Sequence, residues 1–500
     1  MASGTRRSNG PGEGPPPRPA GGFVRARLRR VTRAGLAGYS VSLMTASAEV
    51  VICGAGIAGV ATAYHLAVRR GVGGVVLVDE RPPLSLTSDK STECYRNWWP
   101  GPGDAMVAVM NRSIDLLEEL ARESGNVFRL NRRGYLFATA DPRRVPGFVR
   151  AAEEAAALGA GPARLHATAA SGYEAARAEG FDSPLTGADL ITEPALIRRH
   201  FPYLAPDTVA LLHARRCGWF SGQQLGMYLL ERARAGGVRL LEGRVEGIDT
   251  AGGHVRGVRV SAPGGAHTIG TERAVIAAGP FLKQAGRLFG VELPIFCELH
   301  AKIAFNDPLG AVPRDAPMTI WADPLTIPWS ADERAELGLS PVHRRLLEQM
   351  PAGAHGRPEG SGGSTSVLGI WTYDVEPVEP AFPPKFDAAY PEVVLRGMAR
   401  MVPAMEPYLA RLPRCTVDGG YYTKTRENRF LAGPLPVGGA YVIGALSGYG
   451  MMASNGAADL LADHIAERPL PRYAAAFRLE RYADPGYAKL LDTWGDSGQL

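Results

Sequence analysis

A chain of 500 residues with 45% apolar side chains is long enough for two to four domains at about 150 residues each, and its core can be large, so wholesale disorder is excluded. The net charge of +5 is no nucleic-acid signal, because residues 1–43 hold eight arginines, no lysine and one acid (Glu13), which leaves the rest slightly acidic. Five scattered cysteines (Cys53, Cys94, Cys217, Cys297, Cys415) with no CxxC pair argue against a disulfide framework or a zinc site and favour a reducing, cytoplasmic setting, and no run reaches the ~18 apolar residues of a membrane helix.

Residues 1–43 are expected to be a disordered basic tail. Its first part is rich in Gly, Pro and Ser, and residues 23–38 could form a short basic helix. Its arginines and scarcity of acids superficially resemble an organelle transit peptide. Natural translation from Met44, five residues before the first strand, is the expectation.

Glu49–Cys53 is a short apolar run that reads as a buried parallel strand. Gly54-Ala-Gly56-Ile57-Ala58-Gly59 follows, then helical apolar spacing over 60–70. A second buried strand, 75–78, ends in Asp79-Glu80, completing a β-α-β unit. Residues 105–124 form an amphipathic helix, with the charges of 115–122 on a solvated face. Further strands are predicted at 135–138, 238–241, 255–260, 274–277, 366–373 and 440–444, and helices at 146–158, 193–200, 225–235 and 454–466. The polar stretch 355–366 is expected to be a mobile loop.

A glycine turn that follows a buried strand, opens a helix and precedes an acid about 25 residues later is the pattern of a dinucleotide site. Gly54 permits the tight turn, Gly56 lets the backbone approach a pyrophosphate, and Gly59 allows close helix–strand packing. The pyrophosphate sits at the positive end of the helix. Asp79 is the better candidate for the ribose hydroxyls, with Glu80 as the alternative. The motif by itself does not separate NAD from FAD.

In combination with the glycine turn, the segments Ser88–Gly103, Gly243–Gly247, Val275–Pro280 and Tyr441–Met452 resemble the D-amino-acid oxidase superfamily of flavoproteins, most of all its glycine oxidase and sarcosine oxidase branch. The resemblance covers nearly all of 48–470 and is looser over 290–410. It implies an α/β fold: a Rossmann-type FAD-binding domain with an inserted antiparallel-sheet substrate domain. The boundaries expected are 44–130, 215–290 and 411–470 for the discontinuous FAD domain, 131–214 and 291–410 for the substrate domain, and 471–500 for a C-terminal extension. It further implies that Ser91 and Thr92 wrap the pyrophosphate and that Val245 touches the adenine. Ala278 and Gly279 would pass the adenosine, while Gly444, Ser447, Gly448, Tyr449, Gly450 and Met451 would present backbone to the flavin.

Two departures from that family bear on chemistry. Its sarcosine oxidase relatives attach flavin through a cysteine where this chain has Gly420, and Cys415 lies five residues upstream, so FAD is expected to be non-covalent. The lysines those relatives place over the flavin and after the Ser-Gly-x-Gly loop are missing, the second standing as Met452, which puts fast oxygen chemistry and a simple carboxylate substrate in doubt. Arg96, Tyr373 and Tyr449 are the candidate catalytic groups. Arg96 would hold a carboxylate, and of Trp371 and Tyr373 only one is expected to face the flavin. Tyr421, Tyr422, Lys424, Trp98, Trp99, His300 and Lys302 are further candidates, while Arg426 and Arg429 are read as surface ion pairs.

The resulting expectation is an FAD enzyme that oxidises the C–N bond of a small amino acid or secondary amine. Hydride would go to flavin N5, giving an imine that hydrolyses, with oxygen or another carrier as final acceptor. The alternatives left open are an FAD-dependent 2-hydroxy-acid dehydrogenase, a non-catalytic flavin-binding assembly protein, and an NAD enzyme.

Overall fold

The computed structural model describes residues 47–373 and 375–495; the expectations about the basic tail and Met44 lie outside the described residues. The predicted first strand forms as Val50–Cys53, with Val50, Val51 and Ile52 fully buried. Burying each of these side chains stabilises the sheet by about 1.5–3 kcal/mol. It pairs in parallel with Val75–Asp79 on one side and Ala274–Ile276 on the other. Arg239–Glu242 and Ala440–Gly444 extend the sheet in parallel, and Leu431–Pro434 closes it as an antiparallel edge, six strands in all. Strands distant in sequence therefore share one sheet, and the loops at their ends converge.

Helix Ile57–Tyr64 follows the glycine turn and continues through a π-helical turn, His65–Arg69. Helices Ala105–Ser124, Gly222–Ala235 and Gly450–Ile465 form with bounds near those predicted. On Ala105–Ser124 the charges are not all solvated: Glu118 is largely buried and ion-pairs with Arg132 and Arg216. Asp459 of Gly450–Ile465 ion-pairs with Arg70 (2.7 Å) and Arg112 (2.8 Å), tying the first and last helices of this layer together. No described helix is long and apolar enough to cross a membrane.

A nine-stranded sheet holds most of the inserted sequence, from Tyr135–Thr139, Ala163–His166, Ala188–Ile191 and Ala210–Ala214 to the hairpin-like pairing of Phe296–Asn306 with Thr416–Lys424. Thr416–Lys424 belongs to this sheet although the sequence reading grouped it with 411–470. Helix Tyr390–Met401 covers one face, where Gly356 and Gly369 leave room for Met398. The stretch expected to be a mobile loop contains instead a fully buried strand, Ala354–Pro358, paired on both sides. Its sequence, AHGRP, hides its burial because the polar side chains find partners. Arg357 lies over the Trp219 ring (4.9 Å) and donates to the Thr92 carbonyl (2.7 Å).

Candidate active site

The glycine turn is shaped by contact. Gly54 takes φ +117°, in the region that favours glycine, and a Cβ there would run into the Ala277 carbonyl. A Cβ on Gly59 would fall on the Gly54 carbonyl oxygen. Gly56 differs, since an added Cβ would meet only Ser88 Oγ, at 3.4 Å. The helix that starts there has no side-chain cap on its first residue, and the Ile57 amide donates to Ser88 Oγ (3.0 Å). The open side of Gly56 therefore faces backbone amides at a positive helix end.

Asp79 closes the turn from the second strand, accepting the amides of Ala55 (2.7 Å) and Arg81 (2.9 Å). Burial pushes its pKa up against those two hydrogen bonds. Glu80 is half-exposed at the same rim, beside Arg81 at 3.6 Å. Cys53, at the end of the first strand, is held as a thiol by burial, its pKa raised to about 12.

These groups open onto a cavity of about 500 Å³, within the range of small-molecule and cofactor sites. Of the residues expected to bind cofactor, Gly54, Gly56, Ile57, Ala58, Asp79, Glu80, Val245, Ala278, Gly279, Gly444, Ser447 and Gly450 line it. The turn at 54–58 and the loop at 444–450, nearly 400 residues apart, thus face one space. The loop reaches it through left-handed residues Ala445 and Ser447 before helix Gly450–Ile465 begins. Gly59 lies behind the turn as a packing residue. Gly448 sits under the Tyr422 ring, and Met451 is buried with its sulfur turned toward Gly222; neither lines the cavity.

Ser91 and Thr92, expected to wrap the pyrophosphate, do not line the cavity. Ser85, Leu86, Thr87 and Ser88 line the cavity, whereas Ser91 accepts the Glu93 amide (2.9 Å) and the Thr92 carbonyl receives Arg357. Sequence reasoning missed the apolar wall of Phe281, Leu288 and Phe289, at the two ends of helix Leu282–Leu288. The apolar spacing of 281–289 carries that signal.

The three catalytic candidates lie elsewhere. Arg96 is buried, 4.5 Å over the Trp99 ring and 5.9 Å from the Tyr135 ring centre, with its amide donating to Met452 Sδ (3.4 Å). Burial lowers its pKa. Tyr449 is buried edge-on to Trp99 and donates to the Asn428 carbonyl (2.6 Å). Tyr373 stacks on Tyr390, on the helix-covered face of the large sheet. Trp371, just past the end of strand Ser366–Ile370, lies against the same helix, packing on Gly397. The expectation that one of the two faces the flavin is therefore corrected: Thr372, between them, points the other way, toward His300 (3.4 Å). Arg429 is buried, donating to the Pro102 carbonyl (2.6 Å), and not a surface ion pair; Arg426 is exposed.

The strand Thr416–Lys424 brings Tyr421 and Thr423 to the cavity, and Thr423 Oγ1 donates to the Gly279 carbonyl (3.2 Å). Gly420 fits against Thr87 and Lys90. The donor set suits FAD: amides of the first helical turn beyond Ile57 for a diphosphate, carboxylates at the rim for ribose, and an apolar wall for the rings.

The comparisons agree with this geometry. Residues 49–464 match the family model described as DAO, FAD dependent oxidoreductase. Mitochondrial dimethylglycine dehydrogenase of Rattus norvegicus is 26% identical over 331 residues, 63% of this chain, and the match spans about a third (33%) of that relative's length. Among solved structures, L-proline dehydrogenase from P. horikoshii superposes with a TM-score of 0.66 at 20% identity, covering 87% of this chain and 98% of that one. Glycine oxidase from Geobacillus kaustophilus gives 0.65 at 17% identity, with the same coverages of 87% and 98%. At these identities the structures establish the fold, an FAD-binding α/β unit joined to a large mixed sheet. The family model covers most of the chain and establishes the rest: the protein belongs to the DAO family of FAD-dependent oxidoreductases.

Proposed function

We propose that this protein holds FAD non-covalently in the cavity between the glycine turn and the 444–450 loop, and oxidises the C–N bond of a small amino acid or secondary amine. The observation that carries the proposal is that shared cavity. Non-covalent attachment is supported by Gly420, which leaves no nucleophile at its position on the Thr416–Lys424 strand. The amine reading draws on relatives named for dimethylglycine, proline and glycine as substrates.

When bound, FAD supplies a two-electron acceptor for hydride from the carbon next to nitrogen. The chain's own part is placement. The first helical turn after Ile57 offers amides to the diphosphate, with the Ile57 amide itself held by Ser88, and Asp79 and Glu80 offer carboxylate oxygens to the ribose. Phe281, Leu288 and Phe289 exclude water from the apolar wall. An imine product hydrolyses in water without help from a side chain.

The test is anaerobic mixing with panels of secondary amines, amino acids and 2-hydroxy acids, following loss of the oxidised-flavin absorbance. Bleaching by amines alone is the expected outcome. Bleaching by 2-hydroxy acids alone, or by nothing, contradicts the proposal.

A further inference from the structure

None of the described residues after helix Gly450–Ile465 lines the cofactor cavity, yet the segment they form is bonded into the chain behind it. Leu479–Ala483 and Pro485–Asp492 are two short helical stretches that dock on the bend around Glu427. The Glu427 side chain is fully buried. Its Oε1 accepts from the Arg481 guanidinium (2.8 Å), the Tyr482 hydroxyl (2.8 Å) and the Tyr487 hydroxyl (3.0 Å). Arg481 also donates to the carbonyls of Arg429 (3.0 Å) and Phe430 (3.2 Å), and the Phe430 ring stacks on Phe477 at 4.0 Å. Arg429 in turn lies 4.5 Å over the Trp494 ring.

Between Glu427 and Arg429 stands Asn428, left-handed at φ +57°, and its carbonyl accepts the Tyr449 hydroxyl (2.6 Å). Tyr449 belongs to the loop whose Gly444, Ser447 and Gly450 line the cofactor cavity. In that loop Ala445 and Ser447 are themselves left-handed, a conformation that residues other than glycine keep only where their surroundings impose it. The Tyr449 ring, buried edge-on against Trp99, anchors the loop. Its hydroxyl is out of reach of water and depends on that one carbonyl, whose backbone is gripped on both sides by the C-terminal segment.

We propose that residues 477–494 brace the cofactor loop, with Glu427, Arg481 and Tyr449 as positioning residues, so that docking of this segment and binding of FAD strengthen each other. This rests on FAD occupying the cavity as proposed above. The path is short. Arg481 and Glu427 fix the backbone at 427–430, the Asn428 carbonyl fixes Tyr449, and Tyr449 fixes the turn that faces the cofactor. Coupling between two equilibria is reciprocal, so FAD holds the segment down by the factor by which the docked segment tightens FAD.

Two measurements on the same proteins test it: the FAD Kd of the stripped protein, from fluorescence quenching, and amide hydrogen exchange across 479–492 with and without FAD. Tyr449→Phe removes one hydroxyl and keeps the ring. Arg481→Lys keeps a charge for Glu427 but loses the fork that also reaches two carbonyls. Each raises the Kd about two- to tenfold, and the double variant raises it no more than the larger single effect, because both cut one path. FAD slows exchange across 479–492 in the wild type and no longer does so in Tyr449→Phe, a change that a segment serving only general stability would not show. If Arg481→Lys fails to fold, Tyr487→Phe takes its place. Wild-type protein that binds no FAD sinks the cofactor reading itself. FAD binding by the wild type, with exchange across 479–492 indifferent to it, with the Kd unchanged in the single variants, or with penalties that add in the double variant, sinks this inference alone.

Discussion

Replacing Gly56 by alanine separates cofactor binding from folding. Gly56 has φ −69° and ψ 179°, an extended conformation any residue adopts, and the new methyl would find its nearest neighbour, Ser88 Oγ, at an ordinary 3.4 Å. Folding is therefore untroubled, and the apoprotein gains about 0.4–1 kcal/mol from a less flexible unfolded chain. The methyl does intrude where a diphosphate approaches the first-turn amides. Crowding a filled site by one carbon costs about 1–3 kcal/mol, a rise in FAD Kd of about five- to 150-fold. Titrating the stripped protein with FAD by fluorescence quenching gives the affinity, and the apoprotein melting temperature gives the fold control. Unchanged FAD affinity in a folded Gly56→Ala protein would refute the placement of the diphosphate at this turn.

Ser88→Ala removes the hydroxyl that meets the Ile57 amide; a cost of about 1 kcal/mol is expected in apoprotein stability, read by urea unfolding, and no loss means Ser88 does not hold the turn. Asp459→Asn breaks the buried bridge to Arg70 and Arg112 and costs about 3–5 kcal/mol at neutral pH. Burial pulls the Asp459 carboxyl up, but hydrogen bonds from His65, Arg112 and Arg70 outweigh it and hold the pKa well below the usual range. A depressed carboxylate stabilises above its unfolded pKa, so the gap between wild type and variant should narrow as pH falls below about 4; a gap that widens there contradicts the sign. Met452→Lys would set an ammonium beside buried Arg96, and a loss of about 3 kcal/mol or more in chemical denaturation is expected. A variant as stable as wild type would mean the site tolerates charge.

What the sequence made legible was local. The β-α-β unit is written in consecutive residues, so the glycine turn's place at the cavity followed from pattern, whereas the place of the loop after Ala440–Gly444 came from the family resemblance. The choice between Ser88 and Ser91 was not local. It depends on how the chain doubles back after Asp79, where Arg81 bonds the carboxylate and Leu84 turns left-handed. Arg96 was read as a ligand because it is a cation near the flavin segment, yet Trp99 and Tyr135 from separate elements enclose it. Trp371 and Tyr373 show a different failure: they lie just past the end of their strand, and their place against helix Tyr390–Met401 is set by tertiary packing. The strand Ala354–Pro358 escaped notice because its burial rests on partners for Arg357 that no local pattern announces.

The absorption spectrum of the purified protein, taken before and after denaturation and removal of the polypeptide, tests the central claim most directly. The account predicts the visible bands of an oxidised flavin in the native protein, carried entirely into the supernatant on unfolding and identified there as FAD. A colourless protein that takes up no added FAD would contradict the shared cofactor cavity, and colour that stays with the precipitated chain would contradict non-covalent binding.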